Sequence, residues 1–357
     1  MKKIKIAING FGRIGRQFFK IAFALPSEAL AKEGAPELEI VALNDLGDLK
    51  NLAYLLEFDS VYGNYEKTVE VKDGNLVVDG KTIKYFSEPE PAKLPWKDLD
   101  IDIVVESTGR FASYDKAKTH LDAGAKRVVL SAPAHDEGET VTATPNVNEA
   151  ALARSRITTN ASCTTNAITP VAAVMIVKPG IKYSLLNTVH GYTAEQNLVD
   201  GPMPKLHKDY RRGRAAAWNI VPTTSGAAIA TAKAIPGMKD KFDGMALRVP
   251  VAGGSILDFT FIAEKKTSVE EINDIFTEES KKPEWKGILT VTDKPLVSSD
   301  ILKNAHGAIV DLNLTRVVGG ELVKVMVWYD NEWGYASMLV RHVISLIPLI
   351  NAFKRFA

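Results

Sequence analysis

The single cysteine of the chain, Cys163, lies in the string Asn160-Ala161-Ser162-Cys163-Thr164-Thr165-Asn166. A lone cysteine is commonly a small buried hydrophobe. Here its neighbours are small and polar, and the apolar run over residues 166–177 reads as a helix that ends near Pro179-Gly180. Cys163 is therefore expected near a helix N-terminus, where the dipole lowers a thiol pKa and makes a thiolate available. An imidazole beside it would activate it further for attack on a carbonyl. The chain has six histidines. His190 closes the apolar run L-L-N-T-V and opens the polar segment G-Y-T-A-E-Q. His207 sits in a charged stretch and His120 in a helix-like one, and His135, His306 and His342 lack comparable surroundings. His190 is the preferred base, although spacing alone does not fix whether it meets Cys163.

A second chemistry-bearing string lies at the other end of the chain. Gly10-Phe11-Gly12-Arg13-Ile14-Gly15 is a GxGxxG sequence placed after a strand-like run and at the start of a helix-like one. Glycines there permit a tight turn and close approach of a pyrophosphate, and the helix N-terminus offers its amides to the anion. The next strand ends at Asn44-Asp45. An acid there accepts from the adenosine ribose hydroxyls and repels a 2′-phosphate, which favours NAD over NADP. The gap from Gly10 to Asp45 is longer than usual, with the excess in a Pro/Gly-bearing segment before Leu38. A surface acid is the alternative reading of Asp45.

The elements that must position these groups follow from periodicity. Residues 5–9 and 38–43 read as strands and 13–23 as a helix, a βαβ unit. Residues 69–71 and 76–78 read as a hairpin around Asp73-Gly74-Asn75. Residues 101–106 and 127–130 are continuous apolar runs, the pattern of a parallel sheet covered on both faces. Beyond residue 160 the pattern changes to longer alternating runs at 183–189, 245–251, 255–263, 308–317 and 322–329, with one helix at 268–280 and a last helix at 331–347. The fold class expected is an α/β Rossmann dinucleotide-binding domain over 1–162, completed by a C-terminal helix at 331–350. It is joined to an α+β catalytic domain over 163–330 with a mostly antiparallel or mixed sheet.

Bulk properties agree with such an enzyme. The chain has 357 residues, 46% hydrophobic and 24% charged, a length that fits two domains. Forty-four basic against 43 acidic residues give a net charge of +1, which argues against a primary nucleic-acid role. The basic run Lys205-Leu206-His207-Lys208 is too short for a tail. No signal peptide and no membrane-spanning run of 18 apolar residues is read, and a single free thiol is at ease in a reducing compartment, so a cytoplasmic location is expected. No cysteine or histidine pattern points to a metal.

With these residues in place, the chain resembles the phosphorylating glyceraldehyde-3-phosphate dehydrogenases. The carrying strings occur in order: I-N-G-F-G-R-I-G-R from Ile8, S-T-G-R-F from Ser107, S-A-P from Ser131, N-A-S-C-T-T-N from Asn160 and H-G-Y-T from His190. R-R-G-R-A-A-A follows from Arg211, P-T-T-S-G-A-A from Pro222, R-V-P from Arg248 and W-Y-D-N-E-W-G-Y from Trp328. Together they span nearly the whole chain. The resemblance implies a glycolytic, NAD-dependent homotetramer that oxidises D-glyceraldehyde 3-phosphate with inorganic phosphate to 1,3-bisphosphoglycerate. Cys163 is then the nucleophile and His190 the base. It implies that Ser107, Thr108, Gly109 and Ser131 line the cofactor, that Asn331 fixes the nicotinamide carboxamide and that Tyr335 packs near that ring. Thr193 and Arg248 would hold the C3 phosphate. Ser162, Thr164, Arg212, Ser225 and Gly226 would receive the attacking phosphate.

The chain departs from the family pattern in places. Ala167 stands where many relatives have a second cysteine, so oxidation of Cys163 is expected to stop at a sulfenic acid or a mixed disulfide. Glu195 stands where relatives have threonine or aspartate, an awkward neighbour for a phosphate unless it points away or binds through water. The segment 251–255, the insertion 201–204 and the apolar tail near Ile350 are also unusual. The rival readings are an erythrose-4-phosphate dehydrogenase, which releases its acyl group mainly to water, and a non-catalytic regulatory or RNA-binding protein. Semialdehyde dehydrogenases share the cysteine-plus-Rossmann logic without this set of strings.

Overall fold

A computed structural model of the chain describes residues 3–24, 37–135, 139–203 and 209–353. Residues 25–36, which include the Pro/Gly-bearing segment before Leu38, the basic run 205–208 and Pro204 lie outside the described residues. The chain forms two compact units: residues 1–143, 149–161 and 339–357, and residues 144–148 and 162–338.

The first unit contains β1 (Ile4–Asn9), α1 (Arg13–Ala24), β2 (Leu38–Asn44), α2 (Leu49–Glu57), β3 (Val69–Lys72), β4 (Asn75–Val78) and β5 (Lys81–Phe86). It continues with β6 (Ile103–Glu106), α3 (Tyr114–Asp122), β7 (Arg127–Leu130), β8 (Val141–Thr142) and β9 (Ile157–Thr159). They form one nine-stranded sheet in the order β3-β4-β5-β2-β1-β6-β7-β9-β8. From β5 to β8 every pairing is parallel, and β3-β4-β5 is an antiparallel meander on the edge. The hairpin turn places Asp73 at φ 50° and Gly74 at φ 72°, the left-handed pair that a two-residue connection requires. Strands β6 and β7 are buried at every residue, as continuous apolar runs demand. Helix α1 buries Phe18 and Phe19 against β1 and β2, and burial of each such side chain contributes about 2–3 kcal/mol.

The second unit contains α4 (Cys163–Val177), β10 (Ile181–Gly191), β11 (Val221–Thr224), α5 (Ala227–Ala234), β12 (Phe242–Val249), β13 (Ser255–Ala263), α6 (Val269–Glu279), β14 (Leu289–Thr292), β15 (Ala308–Val318) and β16 (Leu322–Tyr329). Its seven-stranded sheet runs β11-β12-β10-β13-β16-β15-β14, with antiparallel pairs except β10·β12 and β14·β15. Helix α4 is apolar on all sides and buried from Thr164 to Ala172, the behaviour of a helix inside a core. Two last helices follow, α7 (Trp333–Ser345) and α8 (Ile347–Phe353). Residues Leu339, Val343, Leu346 and Ile350 join the core of the first unit.

Three differences from the sequence reading bear on the site. Helix α4 starts three residues early, because the Ser162 hydroxyl caps it by accepting from the Thr165 N–H at 3.1 Å. The last helix begins at Trp333 and breaks at Leu346. Asp330 caps the start by accepting from the N–H groups of Glu332 and Trp333, and Pro348 has no N–H to continue the ladder. The second unit holds α5 as well as α6, and the alanine-rich run 227–234 was its signal. One stretch, Trp333–Ile350, is long and apolar enough by length and composition to cross a bilayer. Its residues are 67% buried inside the protein, as in a core helix.

Candidate active site

Cys163 is the first residue of α4 and is half-buried. Before it, the buried Ala161 is held in the left-handed region at φ 54°, a conformation that costs an alanine on the order of 1 kcal/mol. The parallel pairing of β10 and β12 sets His190 opposite Arg248 in register. His190 Nε2 lies 3.3 Å from Cys163 Sγ, so the two residues singled out in the sequence do meet. The other ring nitrogen settles the tautomer. Nδ1 is 2.6 Å from the Gly191 carbonyl oxygen, which only accepts, and 3.2 Å from Arg248 Nη1, which only donates; the much shorter contact to the carbonyl puts the proton on Nδ1. Nε2 is left as an acceptor facing the thiol. Below them the Tyr329 ring stands edge-on to the imidazole at 5.9 Å. Its hydroxyl pairs with Thr188 Oγ1 at 2.7 Å and Thr164 Oγ1 at 3.0 Å.

The electrostatics correct one expectation. Burial pushes the Cys163 thiol above its ordinary value, and the opposing pull of Arg248 and of the hydrogen bonds at Thr164 does not offset it. Burial, assisted by Arg248, depresses the His190 imidazole to about 3, against the upward effect of its bond to Gly191. The resting pair is thus a thiol donating to a neutral imidazole. The helix N-terminus does not by itself yield a standing thiolate.

Around this pair the second unit gathers cationic and hydroxyl groups. Arg248 Nη1 donates to Thr193 Oγ1 at 3.0 Å. Arg212 Nε donates to Thr223 Oγ1 at 2.8 Å and its Nη2 to the Thr224 carbonyl at 3.2 Å. Their side chains are only 12% and 14% exposed, which removes the reading of Arg212 as a solvated surface charge. Glu195 neither points away nor stands apart: its Oε1 accepts from both arginines. Ser225 and Gly226 precede α5, where Ser225 Oγ accepts from the Ala227 N–H and Gly226 is exposed at the N-cap. Two residues grouped with these are occupied otherwise. The Ser162 hydroxyl is the α4 cap, and Thr164 is buried with its hydroxyl on Tyr329. The family resemblance implies that both receive the attacking phosphate; at a helix start successive residues turn to different faces, and here each hydroxyl has a partner within the fold.

In the first unit the three glycines of the turn act for three different reasons. Gly10 has φ 93°, and a Cβ there would meet the Thr108 amide nitrogen at 2.6 Å. A Cβ on Gly15 would meet the Gly10 carbonyl oxygen at 2.1 Å, so only glycine lets α1 pack on the turn. A Cβ on Gly12 would meet nothing within 4 Å: the space above it is open. The first bond of the α1 ladder is Arg16 N–H to Gly12 O, so the Ile14 and Gly15 amides lie ahead of the ladder. This is the cradle a pyrophosphate needs, and the residues present fit a dinucleotide.

Asp45 ends beside the turn, accepting from the Phe11 N–H at 2.6 Å and the Gly47 N–H at 2.8 Å, with carboxylate lone pairs to spare for hydroxyls. A cleft is lined by Gly10, Gly12, Asp45, Ser107 and Thr108. Ser107 Oγ donates to the Gly10 carbonyl at 2.7 Å, Gly109 turns the chain at φ 71°, and Ser131 N–H donates to the Glu106 carbonyl at the end of β7. Some side chains of the motif are used elsewhere. The Phe11 ring is in the core against Phe19, Ile14 packs on the same core, and the Arg13 guanidinium pairs with Asp59 at 2.9 Å. Only the backbone of these three is placed to serve a ligand.

Sequence reasoning missed several groups. Asn9, Asn44, Glu88, Arg110 and Phe111 also line the cleft. Glu106, buried behind it, accepts from the Thr108 N–H at 2.8 Å and from Asn9. Asn9 and Asn44 were detectable as amides ending otherwise apolar strands. In the second unit Ser255 donates to Asn331 Oδ1 at 3.0 Å and accepts from the Gly191 N–H at 3.2 Å. That fixes the orientation of the Asn331 amide, and its buried Nδ2 has no partner among the described residues. An unpaired buried donor is what a carboxamide oxygen would satisfy. Tyr335 is buried in the first turn of α7. No group of three or more potential metal ligands occurs among the described residues.

Comparison with known proteins accounts for both halves of the chain. Residues 4–114 match the profile of the NAD binding domain of glyceraldehyde 3-phosphate dehydrogenase, and residues 162–331 match its C-terminal domain. A glyceraldehyde-3-phosphate dehydrogenase of Thermotoga maritima is 49% identical over 346 residues, covering 97% of this chain and 99% of the relative. The Mycobacterium avium protein of that name is 47% identical over 352 residues, 98% of each. The Borreliella burgdorferi protein is 46% identical over 343 residues, 94% of this chain and 98% of the relative. The chain belongs to the glyceraldehyde-3-phosphate dehydrogenase family, it is an NAD-dependent oxidoreductase, and NAD is its cofactor.

Proposed function

We propose that the protein oxidises D-glyceraldehyde 3-phosphate with inorganic phosphate, giving 1,3-bisphosphoglycerate and reduced NAD. The single observation that carries this reading is the thiol of Cys163 at 3.3 Å from an imidazole whose tautomer presents Nε2 to it. Because the resting thiol is protonated, His190 takes its proton as the S–C bond to the aldehyde carbon forms. The resulting imidazolium returns that proton to the oxygen, giving a hemithioacetal. An aldehyde carbon has no leaving group other than hydride, and NAD, when bound, supplies the acceptor for it. His190 removes the hydroxyl proton in that step and a thioester on Cys163 remains. Phosphate then attacks the thioester carbon, the C–S bond breaks, and the departing sulfur recovers its proton from His190.

The remaining roles follow from chemistry and family likeness. The backbone of Gly10, Phe11, Gly12, Arg13 and Ile14 receives the pyrophosphate and Asp45 the adenosine ribose, with Ser107, Thr108, Gly109 and Ser131 lining the cofactor. Asn331 donates to the carboxamide, and Tyr335 supports that ring. Thr193 and Arg248 hold the C3 phosphate. Arg212, Ser225 and Gly226 receive the attacking phosphate; Ser162 and Thr164 contribute through the helix start they build. Guanidinium groups with neighbouring hydroxyls suit a phosphate on both charge and geometry. We also assign a cytoplasmic homotetramer; association of subunits is supported by large apolar side chains exposed on the second unit, such as Tyr183, Leu185, Trp218 and Ile220. Sedimentation at micromolar concentration tests it.

The experiment is steady-state NADH formation from glyceraldehyde 3-phosphate and from erythrose 4-phosphate, each with and without phosphate. The reading expects the triose phosphate to be preferred and turnover to require phosphate. Preference for the tetrose with phosphate-independent turnover would overturn it.

A further inference from the structure

Arg212 and Arg248 come from different strands' neighbourhoods but share one counter-ion. Glu195 Oε1 accepts from Arg212 Nη1 at 2.6 Å and from Arg248 Nη2 at 3.4 Å. Among the described residues neither arginine pairs with any other carboxylate. Glu195 sits in the turn after β10, where Gln196 N–H donates to the Thr193 carbonyl at 2.9 Å, and it is 40% exposed on its outer side. The donors around it are not all satisfied. Arg248 Nε and Gln196 Nε2 are buried and have no partner among the described residues. A single carboxylate oxygen therefore half-fills a site with more donors than it can serve. A tetrahedral anion with several oxygens would serve them better.

We propose that Glu195 is an internal anion that occupies the two-arginine site until phosphate displaces it, so that its carboxylate sets the affinity for phosphate. The inference rests on the functional reading above, which brings phosphate groups to these arginines. Its physical basis is competition. Two guanidinium groups, each mostly buried, are costly to leave without a counter-charge, and Glu195 supplies one when no ligand is present. A phosphate arriving at either arginine must break the pair that Glu195 makes there and then sit beside a carboxylate of its own sign. The side chain is exposed enough to rotate outward, and its turn is on the surface. Both effects lower phosphate affinity and hasten its release.

The test is Glu195→Gln in the NAD-loaded enzyme. Glutamine keeps the length and an accepting oxygen but removes the charge. The KM for phosphate is expected to fall about three- to tenfold, the range that two partly exposed ion pairs imply. The dissociation constant of inorganic phosphate, measured by calorimetry without triose, is expected to fall in step. If Glu195 were only a strut holding the arginines, both constants would stay or rise, and either result would overturn the proposal. Should Glu195→Gln fail to fold, Glu195→Ala carries the same expectation and the same refutation. Failure of the functional reading has a different signature: the wild type would turn over without any dependence on phosphate, whatever the calorimetry of the variants showed.

Discussion

Replacing His190 with asparagine isolates the proton acceptor while leaving a polar side chain in its place. Its magnitude follows from what else surrounds the thiol. Cys163 Sγ has Nε2 at 3.3 Å, and its next polar neighbour among the described residues is Thr164 Oγ1 at 4.0 Å, a weakly basic hydroxyl already paired with Tyr329. Arg248 carries no lone pair to offer. No described group replaces the lost base, so the whole contribution of general-base catalysis should disappear. That contribution is about 10²–10⁴ in rate, or roughly 3–5 kcal/mol of barrier. The assay is the pre-steady-state burst of NADH at saturating substrate near pH 7, with the alkylation rate of Cys163 by iodoacetamide measured alongside. Both should fall, while NAD binding in the first unit is retained. A burst within about fivefold of wild type would refute the assignment of His190 as the acceptor.

Other consequences are equally direct. Gly12→Ala has room for its methyl, so the variant should fold with a melting temperature close to wild type but bind NAD more weakly. Gly15→Ala, whose Cβ would meet the Gly10 carbonyl at 2.1 Å, should lose stability outright; thermal melts with NAD titrations separate the two. Arg248→Leu removes the charge that pulls the Cys163 thiol down and should slow its alkylation at pH 7. His342 is buried with Nε2 at 2.8 Å from Thr158 Oγ1, and burial lowers it from its ordinary value to about 4.

Its folded pKa is below the unfolded one, so the unfolded chain binds more protons in between and stability rises with pH. That stability is present above pH 6.5 and is lost as pH falls toward 4, at about 1.4 kcal/mol per pH unit. Denaturant unfolding of His342→Gln should show a shallower slope in this window than wild type; an equal slope would contradict the burial argument.

Much of the fold was legible because its signals are local. Strands β6 and β7 are unbroken apolar runs, the Asp73-Gly74 turn dictates a hairpin, and the three glycines mark the start of α1. The pair Cys163–His190 was legible as residue types, but their meeting depends on β10 reaching α4 through long-range packing, which no local pattern encodes. The thiol's direction of shift was misjudged for the same reason. A helix start is visible in sequence, whereas the burial that outweighs it is a property of the folded core. Ser162 and Thr164 show the converse limit. The family resemblance implies an anion site for both, and in the fold one caps a helix while the other pairs with Tyr329, a residue 165 positions away. Glu195 was recognisable as an anomaly, and only the folded turn showed that it binds both arginines.

The central claim is that Cys163 carries an acyl group which phosphate, not water, removes. Mixing the enzyme with NAD and glyceraldehyde 3-phosphate in the absence of phosphate, quenching in acid and analysing the peptides by mass spectrometry tests it in one step. The account predicts a burst of one NADH per subunit, a matching acyl adduct on Cys163, and discharge of that adduct as soon as phosphate is added. Continued turnover without phosphate, or NADH formation with Cys163 unmodified throughout, would contradict it.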